Sequence, residues 1–315
     1  MPMTKSTNHH NSKRRLPRLS RVADANRVPF RMTARDKEIL RAVYRFRVLT
    51  SVQIERLLFL TPGKPKPSNT RCNLRLQGLF HHGFLARSEQ VQKITDGRKP
   101  LLYFLDRRGA EYLAAQDEIE VTALDWRPSH NRISPLFLDH LLQTNDVRID
   151  IELACKLHSG YSLGQWIDDR ALKEHTMREY VVIAGARGQG RRVAVIPDGF
   201  FIIQDADDSR YPTLLEVDMG TESSRMIKQK VAAYREFEKS GRYSQKYGAG
   251  RATMRVLFVT TSDVRMRNMK RATEAVGGKY NFWFSTFAQV TAESFLHAPI
   301  WYVPGYAEPM AFATD

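Results

Sequence analysis

The sequence predicts an α/β chain in two parts, and three observations carry that prediction. Residues 33–83 place apolar side chains at helical spacing and are followed by two short strand-like runs. From residue 134 onward, helical stripes alternate with short apolar runs of strand length. The charge is also divided. The chain of 315 residues carries a formal net charge of +15, with 8 basic and 1 acidic residue in 1–31, 16 and 7 in 32–112, and 25 and 26 in the rest. The entire positive excess therefore lies in the first third, which points to a polyanionic partner, most simply DNA.

Residues 1–31 are polar and basic, with Lys13, Arg14, Arg15, Arg18, Arg21 and Arg27. They are expected to form a disordered arm whose phosphate contacts would depend on salt. A first domain is expected over 32–114. Thr33 and Asp36 make a capping box ahead of Ile39, Leu40, Val43 and Tyr44. Thr50 and Gln53 make a second one ahead of Ile54, Leu57 and Leu58. A third helix opens at Ser68 after the proline-rich loop, buries Cys72, Leu76, Leu79 and Phe80, and ends at Gly83. Strand-like runs follow around Leu85 and from Leu101 to Leu105, with Asp96-Gly97 as a hairpin turn signal.

Three helices and a hairpin make a winged helix-turn-helix. In that fold the third helix enters the major groove, and its outward side would present Asn69, Arg71, Asn73 and Arg75, with Arg98 and Lys99 of the wing on phosphates. Winged helices also dock on proteins, but the charge favours DNA. A helix through Leu113 closes the domain, and residues 115–133 form a linker.

The second domain is expected over 134–315. Leu138, Leu142, Ile149 and Leu153 mark a long helix that carries His140, Asn145 and Asp146. Strands are expected at Tyr180–Ala184 and Val193–Ile196 around the glycine-rich turn Ala186–Gly190, which matches no phosphate-loop motif. Asp168 and Asp169 receive no role. Two more strands are expected in the runs Pro197–Ile203 and Leu214–Asp218, so Glu216 and Asp218 leave one face and Asp198 comes from the start of the neighbouring strand. Three carboxylates at one sheet edge repel unless a cation lies between them, and hard oxygen ligands suit Mg²⁺ or Mn²⁺. In the helix after Thr221, Lys230 shares a stripe with Ile227, Val231 and Tyr234 and points to the sheet. It either meets a carboxylate there or snorkels at the edge. A strand at Met254–Thr260, a basic helix at Val264–Val276 and a strand at Tyr280–Phe284 follow, and the tail from Pro299 is expected to pack on the core.

The run from Asp198 through Glu216 to Lys230, behind a winged helix, resembles the PD-(D/E)xK nuclease superfamily and, more narrowly, the replication-relaxation family of plasmids and other mobile elements. The resemblance implies a restriction-endonuclease-like α/β domain with a mixed central sheet. It implies metal binding at Asp198 and Glu216, with Mg²⁺ or Mn²⁺ as cofactor. Asp218 stands where the superfamily pattern has lysine; Lys230 is then the migrated lysine, and Asp218, Asp146 and His140 are secondary site candidates. Tyr234 is read as a core residue rather than a covalent nucleophile. The implied activity is metal-dependent DNA nicking, with DNA, replication or mobilisation proteins and a second copy of the chain as partners. A catalytically inactive initiator or accessory factor, or a winged-helix transcription regulator, is the alternative.

The composition excludes several other classes. No run of 18 apolar residues suggests a membrane span, and the basic start is followed by no apolar signal region. The two cysteines, Cys72 and Cys155, fall in different predicted domains, which fits a reducing cytoplasm rather than a disulfide framework. His9-His10 and His81-His82 are adjacent pairs without zinc-ligand spacing.

Overall fold

The structure is a computed structural model that describes residues 17–23, 29–60, 69–91, 97–174, 176–184, 189–248 and 253–313. Ser68, Asp96 and most of the turn Ala186–Gly190 lie outside the described residues, as does the side chain of Asn69. The chain divides into two compact units, Met1–Ile133 and Ser134–Asp315.

In the first unit the order is α1 (Ala34–Phe46), β1 (Val48–Thr50), α2 (Ser51–Phe59), α3 (Asn69–His81), β2 (Leu85–Ser88), β3 (Leu102–Leu105) and α4 (Arg107–Gln116). Both capping boxes form: Thr33 with Asp36, and Thr50 with Gln53, each side chain bonding the other's backbone N–H. The strands make an antiparallel sheet in the order β1-β3-β2. The three-residue β1 is too short to carry a periodic signal and escapes the sequence pattern. Ile39, Leu40, Val43, Ile54, Cys72, Leu76 and Leu79 are buried in the unit's core.

The expectation of a free basic arm over 1–31 needs correction where the arm is described. The Arg21 guanidinium donates to the carbonyls of Phe80 and Leu85 and pairs with Asp106. Val22 N–H donates to His81 Nδ1 at 3.3 Å. Phe30 stacks on His82 with centroids 5.1 Å apart, and a Cβ at Gly78 would meet its ring at 2.6 Å. Only the bare backbone of Gly78 lets the ring approach so closely. These backbone carbonyls and the apolar seat are what a composition-based reading of a basic segment misses.

The second unit is built on α5 (Pro135–Leu157), β4 (Tyr161–Asp168), α6 (Asp169–Lys173), β5 (Glu179–Ala184), β6 (Gly190–Val195), β7 (Gly199–Asp205), β8 (Arg210–Asp218), α7 (Ser224–Lys239), α8 (Arg242–Tyr247), β9 (Arg255–Thr260), α9 (Asp263–Glu274) and β10 (Phe282–Thr286). A five-stranded mixed sheet runs β10-β9-β8-β7-β4, with β8, β9 and β10 parallel and β7 antiparallel to both β8 and β4. The hairpin β5-β6 forms a sheet of its own against α7.

The sheet is covered on both faces. Leu214, Val256, Phe258 and Phe284 face Ile227, Val231 and Phe237 of α7 and Met266 and Met269 of α9. Leu215, Val217, Leu257 and Val259 face Val147, Ile151 and Ala154 of α5, together with Phe295, Trp301 and Phe312 of the C-terminal segment. Parallel strands buried on both faces read as continuous apolar runs rather than alternation, as Val256–Val259 of β9 does. Asp168, which had no expected role, caps α6 by accepting Ala171 N–H at 3.0 Å, and Asp169 pairs with Lys173. Among the described residues, no helix is long and apolar enough to cross a membrane. Both cysteines are free and buried.

Candidate functional site

The second unit gathers its charged side chains where β7 begins and β8 ends. The ladder between the two strands closes at Gly199 opposite Leu215, and Asp198 N–H adds one more bond to the Leu215 carbonyl at 2.9 Å. Beyond that point the Asp198 carboxylate takes over the ladder. Its Oδ2 accepts Val217 N–H at 2.8 Å. His140 reaches the same place from α5, with Nε2 3.0 Å from the Val217 carbonyl oxygen and 3.4 Å from Asp198 Oδ2. A carbonyl oxygen only accepts, so Nε2 carries the proton. The Asp198 hydrogen bond, outweighing burial, raises the His140 pKa above its ordinary value.

On the other face of β8, Glu216 is 3% exposed and held from α7. Lys230 Nζ donates to Glu216 Oε2 at 2.6 Å, and the Tyr234 hydroxyl donates to Oε1. The Lys230 ammonium also lies 2.6 Å from Glu222 Oε1, while Glu222 Oε2 is buried with no hydrogen-bond partner among the described residues. Burial pushes the Glu216 carboxyl up to about 7 against the pull of Lys230, with the Asp198 charge adding to the rise. Burial alone would lower Lys230; Glu216, Glu222 and Asp198 outweigh it and hold the ammonium protonated.

Asp218, two residues on, does not join this group. Arg265 of α9 grips it with two bonds of 2.8 and 2.9 Å, and Thr260 Oγ1, its neighbour across the parallel pair, donates at 2.6 Å. Burial would raise Asp218, but the Arg265 and Thr260 bonds prevail and lower it. Arg265 also donates to the Glu222 carbonyl at 2.5 Å, which ties down the turn from β8 to α7. That turn passes through Gly220 at φ +80°, a conformation costly for any residue with a Cβ.

The expected meeting of three carboxylates around one cation is therefore corrected. Asp198 and Glu216 remain together, Asp218 is neutralised separately, and the cation between Glu216 and Glu222 is the lysine's own ammonium. Asp146 follows His140 by six residues, about 240° around the helix, and so leaves α5 on another side. Glu222 and Arg265 escaped the sequence reading, because neither lies on an apolar stripe that would aim it inward.

Among the described residues no group of three or more His, Cys, Asp or Glu is arranged to hold a metal ion as it stands. The donor chemistry nevertheless fits a hard divalent cation. Asp198 makes its contacts to Val217 and His140 through Oδ2, Glu222 Oε2 is buried without a partner among the described residues, and carboxylates offer oxygen ligands only.

In the first unit a groove of about 780 Å³ lies between α3 and the β2-β3 hairpin. Asn73, Arg98 and Lys99, all expected at a DNA surface, line it together with Arg18, Arg87, Thr70, Leu74 and Gln77. Arg71 is exposed on α3 but is not part of the lining. Arg75 corrects the expectation of an outward base reader. It forks onto the buried Asp36, with Nε to Oδ1 at 2.7 Å, and lies over the Phe30 ring at 4.7 Å. An arginine whose fork is filled by a buried carboxylate has little left for a base.

No curated protein matches the chain. Among solved structures, the restriction endonuclease FokI is similar at 12% identity and a TM-score of 0.29, covering 81% of this chain and 43% of that one. The profile of the replication-relaxation family matches residues 40–253, more than half of the sequence and parts of both units. The chain thus belongs to the replication-relaxation family.

Proposed function

We propose that the protein binds DNA through its first unit and nicks one strand by metal-dependent hydrolysis at Asp198, Glu216 and Lys230. Three helices followed by the β2-β3 hairpin, the pattern expected of a winged helix, support the binding half. The single observation that carries the catalytic half is the Lys230 ammonium seated on the Glu216 carboxylate, with Asp198 beside them at the strand end. Asp198 and Glu216 would hold Mg²⁺ or Mn²⁺, which supplies a polarised phosphate and a water of lowered pKa. Lys230, one-third exposed, offsets the negative charge that develops on the phosphate oxygens. His140, its proton fixed at Nε2, keeps Asp198 oriented.

A second reading has its own observation. Both Glu216 oxygens are already bonded within the chain, and Asp218 is locked by Arg265. This favours an inactive nuclease-like scaffold in a DNA-binding initiator, accessory factor or transcription regulator. One assay separates the readings: supercoiled plasmid incubated with the protein and Mg²⁺, Mn²⁺ or chelator, beside Asp198→Asn and Lys230→Met. Metal-dependent relaxation lost in both variants is the expected result. Intact plasmid under every condition, with binding retained in a gel shift, establishes the second reading.

A further inference from the structure

The face that α3 turns to its groove has a chemistry of its own. Thr70, Asn73, Leu74 and Gln77 all line the groove. Their spacing of i, i+3, i+4 and i+7 puts them within an arc of about 100° on the helix. Arg71 and Arg75 stand about 110° and 150° from the middle of that arc. Arg71 is absent from the lining, and Arg75 is spent on Asp36. The helix therefore brings no cation to the groove. The cations come from elsewhere, as Arg18, Arg87, Arg98 and Lys99. Of these, Arg87 is tethered to the Pro17 carbonyl and stacked on Phe80 at 3.9 Å, and Arg18 pairs with Glu89.

Guanine offers two acceptors in the major groove, which arginine and lysine match. Adenine offers an acceptor and a donor, which the amides of asparagine and glutamine match, and thymine offers a methyl group for apolar contact. The α3 face holds two amides, one hydroxyl with a methyl, and Leu74, which is 61% exposed and contributes nothing to the core.

We propose that α3 reads A·T base pairs in the major groove of duplex DNA. Asn73 and Gln77 meet adenine, Leu74 and the Thr70 methyl cover thymine methyl groups, and Arg98 and Lys99 hold the flanking phosphates. This rests on the DNA-binding reading of the first unit and adds to it the kind of sequence recognised.

The test uses the full chain, chelator to prevent cleavage, one fixed salt concentration, and short duplexes followed by fluorescence anisotropy. The duplexes contain only A·T pairs, only G·C pairs, A·T pairs with uracil in place of thymine, or A·T pairs with 7-deazaadenine in place of adenine. The A·T duplex is expected to bind about tenfold more tightly than G·C. Uracil and 7-deazaadenine, which each remove one major-groove feature, are each expected to forfeit a severalfold share of that margin. Leu74→Ala should make the protein less sensitive to uracil, and Gln77→Ala less sensitive to 7-deazaadenine. Equal binding to all four duplexes overturns the A·T proposal and leaves DNA binding standing. An A·T preference that survives both base analogues also overturns it, since shape would then be what is read. Binding to none of the duplexes sinks the DNA-binding reading itself.

Discussion

Glu216 and Asp218 lie two residues apart on one strand, leave the same face and are equally buried, at 3% exposure each. Their environments are nonetheless opposite. Asp218 is held by a planar two-pronged guanidinium and a hydroxyl, and its pKa is lowered. Glu216 is held by one ammonium that it shares with Glu222 and by a phenol, and its pKa is raised by burial to about 7. Arginine grips a carboxylate through fixed geometry, whereas lysine is a point charge on a flexible stem. The first arrangement makes a strut. The second is the arrangement on which the proposed nicking rests, and that proposal therefore assigns the chemistry to Glu216 rather than to Asp218.

The largest expected effect is on the strut. Arg265→Ala leaves the Asp218 carboxylate buried without its counter-charge, and loss of one partner of a buried pair costs about 3–5 kcal/mol. Urea unfolding should show that loss. Less than about 1 kcal/mol would mean that Asp218 is no strut, and the contrast with Glu216 would collapse. Lys230→Met is expected to be milder for stability, because Glu216 can take up a proton. It should lower metal-dependent nicking by about 10²–10³-fold, the usual cost of removing one preorganised donor to developing charge. Single-turnover cleavage of supercoiled plasmid measures this, and full activity in the variant would assign Lys230 a purely structural task.

The two carboxylates should also give opposite pH limbs. Glu216 has a folded pKa above the ordinary 4.5, so it contributes stability at acid pH that is lost as pH rises through about 7. Asp218 has a folded pKa below the ordinary 3.8, so its contribution is present above that value and lost as pH falls through the folded one. Glu216→Gln should flatten the stability profile between 4.5 and 7, and Asp218→Asn should flatten its acid end. Thermal midpoints against pH test both; limbs of the same sign would refute the contrast. The smallest effect belongs to His140. Its raised pKa means that its stabilisation is complete below 6.5 and fades as pH rises through the folded value. His140→Asn should cost about 1 kcal/mol, the worth of an ordinary hydrogen bond, and more on the acid side of that transition, where the charged imidazole also faces Asp198.

Much of the molecule was legible because its signals are local. The capping boxes at Thr33 and Thr50 span three residues, and the strand alternation that puts Glu216 and Asp218 on one face spans two. The stripe of Ile227, Val231 and Tyr234 aims Lys230 at the sheet by helical periodicity alone. What stayed hidden depends on partners far along the chain. Arg75 and Arg265 look like surface cations until Asp36 and Asp218, 39 and 47 residues away, take them up. Strand β4 escaped because Gly164 sits at a register shift and the residues around it are exposed or half-buried, so no apolar run announces the strand. Glu222 escaped because a turn has no period to betray which way a side chain faces.

Asp198 has a consequence for how relatives can be compared. Its carboxylate stands in for a missing peptide carbonyl by accepting Val217 N–H where β7 gives out. An aspartate or asparagine there keeps the sheet from fraying whether or not any DNA is cut. Its presence in a relative therefore certifies architecture alone. Under the proposed function the pair to look for is a glutamate at the position of Glu216 facing a lysine at that of Lys230, and a relative that keeps the aspartate but replaces that lysine with a neutral side chain is the natural control for the proposed chemistry.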